Sequence, residues 1–163
     1  MGGFSGTANS ILVLNNDAVQ VALTGTGANT SETVLKTVTL PALAANSSIE
    51  IDTLLTWTNS ANTKTLRIRL GGLTGAIVGS FPVTTNASQQ TKTIVRNVNN
   101  TAIQKIFSIG ASVGYGVSSQ ALTQTTANTS SPLTLVFTGQ LDAAAAAALD
   151  SIRYEGSTVK VIL

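Results

Sequence analysis

Two residue types are missing altogether, because the 163-residue chain contains neither cysteine nor histidine. Without cysteine there is no disulfide framework and no clue to redox compartment, so stability must come from core burial, from assembly of copies, or from both. Without histidine or cysteine, the Ser-His and Cys-His nucleophile pairs are excluded, as are the best ligands for zinc, copper and non-haem iron. Charge is scarce as well: nine basic and seven acidic side chains make up 10% of the chain and leave a net charge of +2. They are scattered, with no basic cluster to neutralise successive phosphates and no aromatic series to stack bases, so nucleic acid is not an expected partner. No apolar run nears the roughly 18 residues of a membrane-spanning helix, and the first ten residues, MGGFSGTANS, lack the basic start and apolar middle of a signal peptide. Neither a membrane partner nor export by a cleaved leader is expected.

What is abundant is hydroxyl and amide. Thr, Ser and Asn supply about a third of the chain, a composition that suits exposed strand positions and turns better than helices. The length allows one sizeable domain, burying roughly 70% of the surface its unfolded chain exposes. The clearest pattern is at residues 49–70, IEIDTLLTWTNSANTKTLRIRL. Ile49, Ile51, Thr53, Leu55 and Trp57 share one parity, and Leu66, Ile68 and Leu70 alternate against Thr65, Arg67 and Arg69. Both runs are half-buried strands. They predict a hairpin turning at residues 59–62, with Leu55 opposite Leu66, Thr53 opposite Ile68, Ile51 opposite Leu70 and Asp52 opposite Arg69.

Further strands are expected at residues 11–14 and 18–23 around a turn at 15–17, and at 33–40, closed by Pro41. Residues 76–85 follow a glycine-punctuated turn, and Pro82 within them argues for an edge or a bulge. A polar turn is expected at 86–90, then a hairpin of 91–97 and 102–109 around Asn99 and Asn100. Residues 110–131 read as one long loop with room for a short strand. Leu133, Leu135 and Phe137 share a face of the next strand. The six alanines after Asp142 predict one or two N-capped helical turns or a small-residue packing loop. Residues 151–163 read as two strands, or as one interrupted at Gly156, with the terminus held in a strand. The sum is an all-β, single-domain β-sandwich of about 8 to 10 strands, jelly-roll-like because the chain is half as long again as an immunoglobulin-type sandwich. The domain spans residues 11–163, behind a flexible arm of residues 1–10.

Chemistry is hard to place on this frame. Glu50 and Asp52 are the one close pair of carboxylates, and an ion-pair ladder with Arg67 and Arg69 accounts for them better than glycosidase chemistry. Lys64, Arg67 and Arg69 read as a solvated strand face. A serine-lysine dyad stays open, with no serine marked as activated. Gly110, Gly114 and Gly116 lack the Lys-Ser or Lys-Thr of a phosphate cradle, and the sequons at Asn29 and Asn46 are what an Asn- and Thr-rich chain produces by chance. Trp57 lies on the apolar parity, which assigns it to the core rather than to a sugar platform. No catalytic residue, cofactor or metal is expected, and the chain does not read as an enzyme.

Residues 56–72, TWTNSANTKTLRIRLGG, resemble a hairpin of small virion proteins of tailed bacteriophages, with weaker similarity at 37–42, at Arg96 and Asn97, and at 133–163. The alanine run and residues 110–131 depart from that pattern. The resemblance implies a β-sandwich that assembles as a homotrimer, either a capsid decoration (cement) protein or a fibre tip. With no heptads or repeats for a shaft, the expectation is a decoration protein on the outer surface of the capsid, its partner the major capsid protein. Its contact arm would be Met1, Gly2, Gly3, Phe4 and Ser5, ordering through residue 10 on binding. The alternative is a receptor-binding tip whose residues 110–131 contact a host-surface glycan.

Overall fold

The computed structural model describes residues 10–109 and 123–163. Eleven strands and one short helix occur among them, one strand more than the upper expectation. Strand β1 (Ile11–Asp17), β2 (Val21–Thr24), β4 (Ser48–Trp57), β7 (Ser88–Asn97), β8 (Gln104–Ile109), β9 (Thr123–Thr125) and β11 (Ser151–Ile162) form one antiparallel sheet. Its order is β1-β11-β4-β7-β8-β9, with β2 also on β11. Strands β3 (Thr33–Leu40), β10 (Leu133–Leu141), β5 (Lys64–Leu70) and β6 (Ala76–Val83) form the other, in the order β3-β10-β5-β6. When β1 and β2 are taken as one interrupted strand and β8-β9 as an insertion, the sheets read 1-8-3-6 and 2-7-4-5. That is the jelly roll, two Greek keys wrapped together.

This topology overturns the predicted 49–70 hairpin. β4 pairs with β11 and β7, whereas β5 pairs with β10 and β6 in the opposing sheet. The apolar parity was right: Ile49, Ile51, Leu55, Trp57, Leu66, Ile68 and Leu70 are all buried. Their faces meet across the sandwich instead of lying side by side, because residues 58–63 cross from one sheet to the other. A second correction concerns the first strands. β1 and β2 do not fold back on each other; both run along β11, β1 beside residues 157–162 and β2 beside 151–154. The turn expected at 86–90 ends earlier, since β7 begins at Ser88 and the left-handed residue is Asn86 at φ 75°.

Other expectations hold. β7 and β8 form the hairpin around Asn99. β6, with Pro82, is an edge strand and carries a bulge, Val78 being skipped between the Ile68–Gly79 and Arg69–Ile77 pairs. Helix α1 (Ala143–Ala147) is capped by Asp142, whose Oδ1 accepts the Ala145 N–H at 2.6 Å, and it buries Ala145 and Ala146.

The core lies between the sheets, where Phe137 and Tyr154 meet at 5.2 Å between ring centroids. Burying each such side chain stabilises by about 1.5–3 kcal/mol. One row of the larger sheet breaks the pattern: Thr53 and Thr91 face each other in register, and neither buried hydroxyl has a partner. An unmade buried hydrogen bond costs about 1–3 kcal/mol. Thr53→Val is therefore expected to raise stability by about 1 kcal/mol in urea unfolding; a loss instead would reveal a bound water satisfying the pair.

Candidate functional site

Three polar clusters stand out, each tying distant segments together. The first joins the crossover at residues 58–63 to the segment after α1. Lys64 has no exposed side-chain surface, and its Nζ donates to Ser60 Oγ at 2.7 Å and lies 3.5 Å from Asp150 Oδ2. Ser60 donates in turn to Asp150 Oδ2 at 2.5 Å, and Asn62 Nδ2 does so at 3.0 Å. Lys64 is thus no part of a solvated face, contrary to the sequence reading. The serine-lysine pairing left open by the sequence is present here as Ser60 and Lys64, with Lys64 donating to Ser60 and Ser60 donating to Asp150. The hydrogen bond from Ser60, outweighing burial, keeps the Asp150 carboxyl below its usual range.

The second cluster lies on the outer face of the smaller sheet. Glu32 accepts from Arg69 Nε and one guanidinium nitrogen, both at 2.7 Å, stands 3.5 Å from Arg67, and accepts from the Thr138 hydroxyl. The Arg69 hydrogen bond, ahead of burial, lowers the Glu32 pKa. The predicted ladder of Glu50 and Asp52 with these arginines therefore does not form, because the arginines belong to the opposite sheet. Glu50 instead lies 3.7 Å from Lys92, and Asp52 sits in register between Lys92 and Thr158. Nothing in the sequence marked Glu32, since its partners lie 35 or more positions away.

In the third, Asp17 pairs with Lys36 and accepts from the Tyr154 hydroxyl at 2.7 Å and from Asn15 at 3.2 Å. Burial pulls the Asp17 pKa up, but these hydrogen bonds outweigh it and leave it lowered. Burial likewise pushes Tyr154 up to about 12. The signs give a two-sided expectation. Asp17, Glu32 and Asp150 titrate below their unfolded values, so their contribution is complete above about pH 5 and is lost as pH falls through the folded values. Tyr154 titrates above its unfolded value, so its contribution holds below about pH 10 and is lost toward 12. Tm measured against pH is expected to be level between these limits and to fall on both sides; a maximum at acid pH would contradict the assignment.

Two shallow depressions are lined by described residues. A depression of about 350 Å³ over the Gly156 bulge is lined by Asn16, Asp17, Asp52, Leu54 and Gln90 among others. Another of about 290 Å³ lies beside Trp57 and residues 82–89. Trp57 is itself buried and its indole N–H donates to Thr84 O at 2.9 Å, a core residue as its parity required. Asn29 takes the Thr26 N–H within a local turn, whereas Asn46 takes the Asn99 N–H and ties two distant loops together. Among the described residues no three acidic side chains converge as metal ligands, and no helix is long and apolar enough to cross a membrane. Met1, Gly2, Gly3, Phe4 and Ser5, like Gly110, Gly114 and Gly116, lie outside the described residues.

No protein-family model matches this chain. No curated protein matches it either. Solved structures similar to it include an infectious bursal disease virus chain (Gx strain), 12% identical with a TM-score of 0.44 over 95% of this chain and 32% of the other. This chain thus spans about a third of the length of that viral chain. A Bauhinia forficata lectin in complex with GalNAc is 6% identical, TM-score 0.43, over 94% and 98%. The CBM2 module of an evolved Dit of Lactobacillus casei BL23 phage J-1 is 13% identical, TM-score 0.40, over 77% and 68%. Identities this low and superpositions this loose say nothing about what the chain binds.

Proposed function

We propose that this chain is a non-enzymatic structural protein of a tailed-phage virion, a decoration protein that binds the outer surface of the assembled head and stabilises it against internal pressure. The observation that carries the reading is the segment of residues 56–72, on which the resemblance to such proteins rests. Its residues are spent on framework: Trp57 on the core, Ser60, Asn62 and Lys64 on Asp150, Arg67 and Arg69 on Glu32. A motif used up in holding two sheets together suits a protein that acts through its outer surface, with contact area as its product. The three polar clusters support the same reading, since each carboxylate in them is engaged in an ion pair or an internal hydrogen bond.

The test is binding of the purified protein to heads stripped of accessory proteins and, in parallel, to host cells. Saturable binding to heads, with a higher temperature of shell disruption, is the expected result. Binding to cells alone would replace this reading with that of a receptor-binding tip.

A further inference from the structure

We propose that β1 is the edge through which two copies of this chain join, strand against strand across a two-fold axis. A sheet edge offers unpaired backbone groups, and proteins that remain single protect their edges with charge, proline, bulges or brevity. Among the described residues, the sandwich has β1 with β2, β9, β3 and β6 at its edges. β6 carries Pro82 and a bulge. β3 carries Lys36 and faces a bulged register. β9 is three residues long and β2 four. β1 differs from all of these. Ile11, Leu12 and Val13 are 65%, 42% and 52% exposed, the neighbouring Leu163 is 45% exposed, and no charged side chain occurs in residues 1–16. Its one irregularity, between Val13 and Asn15, lies beyond this run.

The backbone pattern fixes how a second copy would fit. The Leu163 N–H donates to Ser10 O at 3.0 Å, which makes Ser10 and Leu163 a hydrogen-bonded pair of the β1–β11 ladder. Alternation along an antiparallel ladder then turns the backbone groups of Leu12 toward β11 and those of Ile11 and Val13 outward. With a two-fold axis at Leu12, Ile11 of each copy exchanges both backbone bonds with Val13 of the other, and the two Leu12 side chains meet on the axis. The outward donors and acceptors are the ones such a pairing needs. Charge permits it as well. The nearest cation, Lys160, sits opposite Val13 on β11, so it is three strand spacings from its counterpart, about 14 Å. That exceeds the screening length of about 8 Å at physiological ionic strength. The two larger sheets become one continuous sheet, and the exposed aliphatic run is covered.

This inference does not rest on head binding. The resemblance at residues 56–72 implies a trimer, which has no two-fold axis; a hexamer with both axes would accommodate the two. The measurement is the mass of the full chain in solution by light scattering over a concentration series, with Val13→Lys, Ile11→Pro and, as a control elsewhere on the larger sheet, Leu54→Lys. Ile11→Pro removes an outward N–H at the first residue of the strand and leaves the β11 ladder intact. The expected result is an even multiple of 16.6 kDa that halves in both β1 variants and persists in Leu54→Lys, with unchanged circular dichroism. Should Val13→Lys fail to fold, the proline variant decides. A monomer at every concentration, a trimer, or an even mass that the folded β1 variants retain would overturn the proposal and leave the head-binding reading untouched.

Discussion

Lys64→Met is expected to cost about 3–5 kcal/mol of stability, the range found when one partner of a buried ion pair is removed. Lys64 has 0% and Asp150 5% of its side chain exposed, so water cannot replace the missing ammonium. Methionine fills the space of the aliphatic stem but leaves Asp150 with only the neutral donors Ser60 and Asn62. The site also carries topology. Asp150 lies just before β11 and Lys64 begins β5, so the pair fastens the crossover between the sheets to the segment that enters the longest strand. Loss of the pair is therefore expected to lower the urea midpoint without changing the slope, as a stability change does. The double variant Lys64→Met with Asp150→Leu separates charge from packing. If the uncompensated carboxylate is the cause, the double variant recovers most of the loss and the cycle shows strong coupling. A single-variant cost below about 1 kcal/mol, the range of an exposed pair, would mean that the ammonium reaches solvent.

That lysine also shows what could be read from the chain. Lys64 shares the parity of Leu66, Ile68 and Leu70, so its burial was signalled by the same alternation that identified the strand; its charge hid the signal. The two-residue period reports which side chains share a face, and on that basis the core of β4, β5 and β10 was legible. It does not report whether a matching face lies alongside or across. Residues 49–70 satisfy both geometries, and a local hairpin is the simpler of the two until the rest of the sandwich is counted. Only pairings at long range, β4 with β11 and β5 with β10, decide between them. The candidate contacts divide in the same way. Asp142 as a helix cap depends on neighbours within three residues and was legible. Glu32 between Arg67 and Arg69 depends on the wrap of the chain and was not.

Gly156→Ala is the second substitution expected to have a large effect, and its cause is different because no contact is removed. Gly156 has φ +153°, a conformation L residues rarely adopt, and an added Cβ would stand 2.3 Å from Asp17 O and 2.9 Å from Ala18 Cα. Both obstacles are backbone, so no side chain can turn aside. Unfavourable dihedrals of this kind cost about 1–3 kcal/mol on their own, and the clash must in addition push the end of β1 away from β11. Asp17 would move with it, weakening the hydrogen bond from Tyr154 and the pairing with Lys36. The position is fixed by the bulge. β11 pairs Tyr154 with Leu55 and Gly156 with Leu54, skipping Glu155, and this extra residue shifts the parity so that Ile152 and Tyr154 on one side and Val159 and Val161 on the other all point into the core. The sequence carries that shift as a break in alternation at residues 155–156. A strand of twelve residues that must bury both ends needs such a shift, and glycine is the residue that permits it beside the β1–β2 junction. The expected outcome is a loss of at least about 3 kcal/mol in urea unfolding, at the upper end of ordinary single substitutions, together with a lowered Tyr154 titration as the ring hydroxyl loses its carboxylate neighbour, Asp17. A cost under about 1 kcal/mol, or the gain of about 0.4–1 kcal/mol that glycine replaced by alanine brings at an accommodating site, would show that β1 yields freely and that the bulge does not depend on glycine.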